Sequence, residues 1–307
     1  MNTVLEMTNI TKKFGNHLAL KNINMTIHEG EIYGLIGRNG AGKTTLLKLI
    51  TQLIEPDQGI ISLFGSQGDK ELTKALRCSG SVIETPVAYD QLSAVDNLRY
   101  YCKLRGVVNP DAVIEETLKF VNLSDTGKKK FKDFSLGMKQ KLGIAIAILT
   151  RPDFLILDEP INGLDPLAIV EFRKLIRRLN QELGMTIIVS SHILEELYQV
   201  ATRFGIIHEG VIVKEISKQD FDHLSQDFII LDTPEANRAS LFVQEQLNYQ
   251  IKVVNDGTIH IFTDPDKINQ IIKSLVQENI HISGIHYSRQ NLETYFTNLV
   301  SDKKEVL

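Results

Sequence analysis

Only two cysteines occur in the chain, and neither sign of charge dominates it. Cys78 and Cys102 show no metal-ligand spacing and no disulfide framework, which fits a reducing compartment and two ordinary packing residues. A net charge of −4 over 307 residues gives no basic footprint of the kind that announces a nucleic-acid surface, so no nucleic-acid partner is expected. Long apolar runs are missing as well. The most apolar stretches, such as residues 142–149, fall far short of the roughly 18–20 residues a membrane span needs. The opening residues Met1-Asn2-Thr3-Val4-Leu5-Glu6 have neither the basic patch nor the apolar stretch of a secretory signal. Export is therefore not expected, and any membrane role must run through a partner. What remains, 43% hydrophobic and 23% charged residues, is the composition of an ordinary folded protein and excludes disorder for most of it. The length exceeds the usual single-core size and predicts two domains.

The apolar pattern divides the chain. Short runs at Val4-Leu5-Glu6-Met7 and Ile23-Asn24-Met25-Thr26-Ile27, a His28-Glu29-Gly30 turn and a third run at residues 31–36 read as an antiparallel β opening. From residue 45 onward, helical patterns interleave with buried-strand patterns, notably Phe154-Leu155-Ile156-Leu157, Thr186-Ile187-Ile188-Val189 and Phe204-Gly205-Ile206-Ile207. That alternation predicts a parallel sheet with crossover helices. A polar-rich helical insert is expected over about residues 88–150. A polar stretch at residues 216–227 reads as a linker, followed by a small α+β domain over residues 228–300 in the order βαββαβ, a ferredoxin-like order with one added helix at residues 291–300. Its histidines, His260, His281 and His286, are scattered rather than gathered for a metal. No internal repeat is present, and the last residues, 301–307, read as a frayed end.

The chemistry sits in the first part. Gly37-Arg38-Asn39-Gly40-Ala41-Gly42-Lys43-Thr44 lies between a strand-like run and a helix-like run that begins at Thr45. Its spacing is that of a phosphate-binding loop, in which glycines let backbone N–H groups turn around phosphate oxygens at a helix N-terminus. Lys43 would reach the β- and γ-phosphates and Thr44 would ligate Mg²⁺. Farther along, Asp158 and Glu159 follow the apolar run at 154–157. Ligands of open α/β sheets bind beyond the carboxyl ends of strands, which places Asp158 at Mg²⁺ and Glu159 near an attacking water.

With these residues in place, the segment over about residues 3–215 resembles the ATP-binding subunits of ABC transporters. Phe134-Ser135-Leu136-Gly137-Met138-Lys139-Gln140 is similar to the family signature, Gly163-Leu164-Asp165 to its D-loop and Ser190-Ser191-His192 to its switch histidine. Phe14 falls where the family stacks an aromatic ring on adenine. The implied fold is a P-loop NTPase core with an antiparallel β subdomain and a helical insert. The implied nucleotide contacts are Phe14, Gly37, Arg38, Asn39, Gly40, Ala41, Gly42, Lys43, Thr44 and Thr45, with Ser135 and Gly137 capping ATP across a homodimer of nucleotide domains. Glu159, His192 and Lys43 are the implied catalytic groups, and ATP and Mg²⁺ the implied cofactors.

Two departures stand out. Leu136 and Met138 replace a glycine and a glutamine of the usual signature, while Ser135 and Gly137 are kept. Glu84 stands where most relatives carry a glutamine that touches Mg²⁺ and links to the membrane subunit. That glutamate, together with the ending Asn291-Leu292-Glu293-Thr294-Tyr295-Phe296, resembles bacitracin exporters and lantibiotic-immunity transporters. The resemblance implies an ATPase held at the cytoplasmic face of the membrane by integral permease subunits and driving export of a peptide antibiotic. Export of another amphiphile or lipid is the alternative. A soluble regulatory ABC protein is disfavoured by the single phosphate loop. Apolar periodicity does not choose among dimerisation, regulation and ligand binding for the last domain.

Overall fold

The computed structural model describes residues 2–224 and 227–289, and the helix expected at 291–300 lies outside them. The chain divides into two compact units, Met1–Lys218 and Gln219–Leu307.

The first unit opens with two long strands, β1 (Thr3–Phe14) and β2 (His17–His28), followed by β3 (Ile32–Ile36) and helix α1 (Lys43–Ile50). Then come β4 (Gln58–Leu63), β5 (Ser66–Gln67), α2 (Asp69–Ala75) and β6 (Ser79–Val82). The helical insert holds α3 (Ala94–Arg105), α4 (Pro110–Phe120) and α5 (Leu136–Ile148). The chain returns through β7 (Phe154–Leu157), α6 (Pro166–Leu183), β8 (Thr186–Ser191), α7 (Leu194–Tyr198), β9 (Arg203–His208) and β10 (Val211–Ser217). Helix α8 (Lys218–Leu224) occupies most of the stretch expected to be a linker. Its polar composition hid a short helix, because only about two turns of periodicity are available to reveal it.

Two sheets form this unit, an antiparallel one in the order β2-β1-β4-β5 and a six-stranded one in the order β10-β9-β3-β8-β7-β6. The expectation that residues 31–36 continue the antiparallel opening is corrected here. β3 leaves that sheet and pairs in parallel with β8 and β9. Its five residues are all buried, as a central strand covered on both faces requires. Helix α1 contributes Leu46, Leu47, Leu49 and Ile50 to the core that also takes Leu5, Met7 and Ile10 from β1 and Phe154, Ile156, Ile188 and Ile207 from the parallel sheet. Each such side chain contributes about 1.5–3 kcal/mol on burial, so α1 is pinned along its length and the loop that feeds it is fixed at one end.

Close backbone approaches explain several glycines. A Cβ on Gly205 in β9 would sit 2.0 Å from the Tyr33 hydroxyl, which instead donates a 2.7 Å hydrogen bond to Glu215. Helix α5, apolar all round and buried from Leu142 to Ile148, lies so near its neighbours that a Cβ on Gly80 of β6 would meet the Ala147 carbonyl at 2.4 Å. A Cβ on Gly143 would meet Pro86 Cβ at 2.8 Å. Helix α3 begins at Ser93, whose hydroxyl caps Asp96 N–H, and the fully buried Asn97 side chain fastens the preceding turn by bonds to Tyr89 and Ser93.

In the second unit, β11 (Asp227–Asp232), α9 (Ala236–Glu245), β12 (Gln250–Asn255), β13 (Thr258–Phe262), α10 (Ile268–Gln277) and β14 (Gly284–Arg289) follow α8. Their order is βαββαβ, and the sheet order β12-β13-β11-β14 is antiparallel throughout. Ile229, Leu231, Ile259 and Ile261 pack against Ala239 and Val243 of α9 and Ile271 and Leu275 of α10.

Candidate functional site

Strands β3, β7 and β8 run parallel in adjacent positions, so the residues following their carboxyl ends converge on one edge of the sheet. β3 delivers the glycine-rich loop, β7 delivers Asp158 and Glu159, and β8 delivers Ser190, Ser191 and His192.

The loop is shaped by what its glycines exclude. A Cβ on Gly37 would lie 2.5 Å from the Ile207 carbonyl, and Gly42 adopts φ +108° with only 2.8 Å to Leu20. Other residues reach that backbone region at a steric cost. Arg38, Asn39 and Gly40 are exposed, Ala41 is buried, and Gly42, Thr44 and Thr45 are partly covered. Lys43, 5% exposed, curls back over the loop: its ammonium donates to the Gly37 carbonyl at 2.7 Å and the Arg38 carbonyl at 3.2 Å. It also lies 3.0 Å from Glu159 Oε1.

The Asp158 carboxylate is held by two hydroxyls. Thr44 Oγ1 donates to Asp158 Oδ2 at 2.8 Å and Ser190 Oγ donates to Asp158 Oδ1 at 2.7 Å, with Asp158 buried. Ser190 Oγ also accepts from the Glu159 backbone N–H at 2.9 Å. Glu159 has φ +44°, an uncommon conformation for a non-glycine residue. Its Oε2 lies 2.8 Å from His192 Nδ1. Lys43, Thr44, Asp158, Glu159 and His192, separated widely in sequence, are thus one connected network. The Thr44–Asp158 spacing also suits a small hard cation. Two neighbouring oxygens on an octahedral Mg²⁺ at 2.0–2.1 Å stand about 2.9 Å apart.

An open cleft of about 570 Å³ lies against the loop, lined by Arg38, Asn39, Gly40, Ala41, His192, His208 and Glu209. Phe14, at the end of β1, has half its surface exposed, and the Lys12 ammonium lies 5.6 Å from its ring centre. It is not a core residue. Ser135 and Gly137 stand apart from this network: Ser135 is the exposed N-cap of α5, accepting from Met138 N–H at 3.3 Å. With Leu164 and Asp165 they border a second hollow of about 200 Å³. Asp165 caps α6 by accepting from Ala168 N–H at 2.9 Å.

Glu84 pairs with a residue the sequence did not single out. Its Oε1 is 2.5 Å from Lys48 Nζ on α1. Ser190, Lys48, His208 and Glu209 are the additions the structure makes. Ser190 lies near the end of β8 and His192 just beyond it, so both sit at the strand's carboxyl edge. Lys48 follows Thr44 by one helical turn.

Comparison with known proteins bears on this arrangement. The family described as ABC transporter matches residues 20–162. The bacitracin transport ATP-binding protein BcrA of Enterococcus faecalis is 39% identical over 300 residues, covering 98% of this chain and 97% of BcrA. The lantibiotic transport ATP-binding protein SrtF of Streptococcus pyogenes is 42% identical over 225 residues, covering 73% of this chain and 96% of SrtF. Among solved structures, a dimeric post-hydrolysis state of the ATP-binding cassette MJ0796 bound to ADP and Pi matches with a TM-score of 0.63 at 27% identity, covering 70% of this chain and 98% of that one.

Proposed function

Because this chain belongs to the ABC transporter family of ATP-binding subunits, we propose that it is the ATPase of an exporter that removes a peptide antibiotic of the bacitracin or lantibiotic kind. Two copies act on integral permease subunits at the cytoplasmic face of the membrane. The ATPase reading is carried by one observation, the network joining Lys43, Thr44, Asp158, Glu159 and His192 at the phosphate loop. The peptide reading is supported by the names of BcrA and SrtF. The near-complete overlap with BcrA extends through the second unit, whereas SrtF is matched over a length that leaves about a quarter of this chain outside.

In this mechanism Lys43 turns its ammonium from the loop carbonyls and Glu159 to the β- and γ-phosphates, and backbone N–H groups of residues 37–45 complete the cradle. Thr44 and Asp158 would hold Mg²⁺, which when bound would supply charge neutralisation at the phosphate oxygens. Glu84, beyond the end of β6, would stand toward Mg²⁺ and link the site to the permease. Glu159 takes the proton of the attacking water or orients it, and His192, which shares its carboxylate, contacts the γ-phosphate. The bond between the γ-phosphorus and the bridging oxygen breaks, giving ADP and phosphate. Ser135 and Gly137 of one copy cap the nucleotide of the other, with a hydroxyl and a backbone N–H donating to phosphate oxygens.

Phe14 stacks on adenine in this scheme. Phe14→Ala is expected to weaken ATP binding about 5- to 20-fold, the effect of losing one base–aromatic stack. The exposed ring predicts an unchanged melting temperature. Titration with a fluorescent ATP analogue, alongside a thermal melt, checks both. Unaltered affinity would remove the stacking role.

The transporter reading is tested by purifying the tagged chain from detergent-solubilised membranes and identifying what accompanies it. Polytopic membrane proteins are expected. Cells expressing the whole complex should then tolerate higher concentrations of bacitracin or a lantibiotic than cells lacking it, in a panel that includes unrelated amphiphiles. Recovery of ribosomes or soluble proteins alone would overturn the transporter reading, and protection against the amphiphiles alone would overturn the peptide substrate.

A further inference from the structure

We infer that Lys48 is a positioning residue for Glu84, the countercharge that lets a glutamate stand beside a site built for a polyanion. The inference rests on the reading of this edge as an ATP site.

Four observations meet here. Lys48 Nζ is 2.5 Å from Glu84 Oε1. Lys48 lies one helical turn beyond Thr44 on α1, which sets the two side chains on the same face of the helix. Strands β6 and β7 pair in parallel with Val82 opposite Leu157, so Glu84 and Glu159 each follow the paired residue of adjacent strands by two positions. Helix α1 therefore supplies one lysine to each glutamate, Lys43 to Glu159 and Lys48 to Glu84. Finally, Glu84 is the centre of a tight turn, with φ +62° and a 2.9 Å bond from Thr85 N–H to the Ile83 carbonyl. That γ-turn is a strained form, and it directs the carboxylate toward α1.

Stability does not account for the pair. The Lys48 and Glu84 side chains are 32% and 60% exposed, and ion pairs of that kind contribute little to folding. Electrostatics at the ligand does. A free carboxylate near a triphosphate repels it, and more strongly when no divalent cation is present. Lys48 cancels that charge and holds the carboxylate in one direction.

The test compares the full-length chain with Lys48→Met, Lys48→Arg, Glu84→Gln and the Lys48→Met/Glu84→Gln double variant. ATP affinity is titrated in EDTA and in Mg²⁺, and each protein is melted. Lys48→Met should weaken binding in EDTA about fivefold and enlarge the gain from Mg²⁺ by a similar factor, a coupling of ordinary size for two groups in contact. Glu84→Gln should abolish that difference, Lys48→Arg should restore wild-type behaviour, and the melting temperatures should agree. An equal loss in the Glu84→Gln background would overturn the inference, because Lys48 would then act on the nucleotide directly. So would wild-type affinities for Lys48→Met. Failure of the wild-type chain to bind ATP at all would instead strike the ATP-site reading beneath it.

Discussion

Glu159→Gln is expected to lower ATP turnover by at least about a hundredfold, the usual contribution of a positioned general base, while ATP binding survives. Glutamine keeps the shape of the side chain, and its amide has an oxygen for the Lys43 ammonium and a nitrogen for the His192 ring, the two partners that Glu159 holds at 3.0 and 2.8 Å. The loop geometry should therefore persist. What disappears is the ability to accept a proton. Phosphate release measured on the purified chain reads the loss, and size-exclusion chromatography with ATP and Mg²⁺ should show a dimer that no longer reopens through hydrolysis. Turnover within threefold of wild type would assign the base to another group.

Lys43→Met is expected to reduce ATP affinity at least about tenfold and turnover at least about a hundredfold. The ammonium has three N–H donors; it donates to two loop carbonyls and forms an ion pair with Glu159. The methionine stem fills the same space without a charge, so the loop loses its cation, two loop carbonyls lose a donor and Glu159 loses its ion-pair partner. Each buried acceptor left alone costs about 1–3 kcal/mol, although Glu159, partly exposed and still beside His192, recovers some of that from water. A melting temperature lowered by several degrees is the accompanying sign. Isothermal titration with ATP checks the first claim, and undiminished affinity would leave phosphate binding to the backbone alone.

Much of this site was legible because it is written in short segments with fixed spacing. The phosphate loop, the paired acids and the switch histidine each follow a strand, and the parallel pairing of β3, β7 and β8 brings those strand ends together. What escaped detection were residues whose role depends on pairing between distant segments. Ser190 is an ordinary strand residue until β8 is set beside β7, when its hydroxyl reaches both Asp158 and the Glu159 N–H. Lys48 reads as the solvated edge of an amphipathic helix until β6 places Glu84 opposite it. The same holds for the fold. Strand β1 runs to Phe14, well beyond the apolar run at residues 4–7; only Ile10 among its later residues is buried, the rest are partly or fully exposed, and their pairing with β2 and β4 is not written locally. Strand β4 begins Gln58-Gly59, which reads as a turn, yet Gly59 is there because a Cβ would meet the Thr8 and Asn9 carbonyls at 2.6 Å.

Gly143 has a mechanical meaning beyond packing. With less than a methyl group's clearance between α5 and Pro86, the helix that starts at Ser135 and the turn that carries Glu84 have no slack between them. A side chain at position 143 would therefore wedge the helix and the turn apart, since even its Cβ would stand 2.8 Å from Pro86 Cβ.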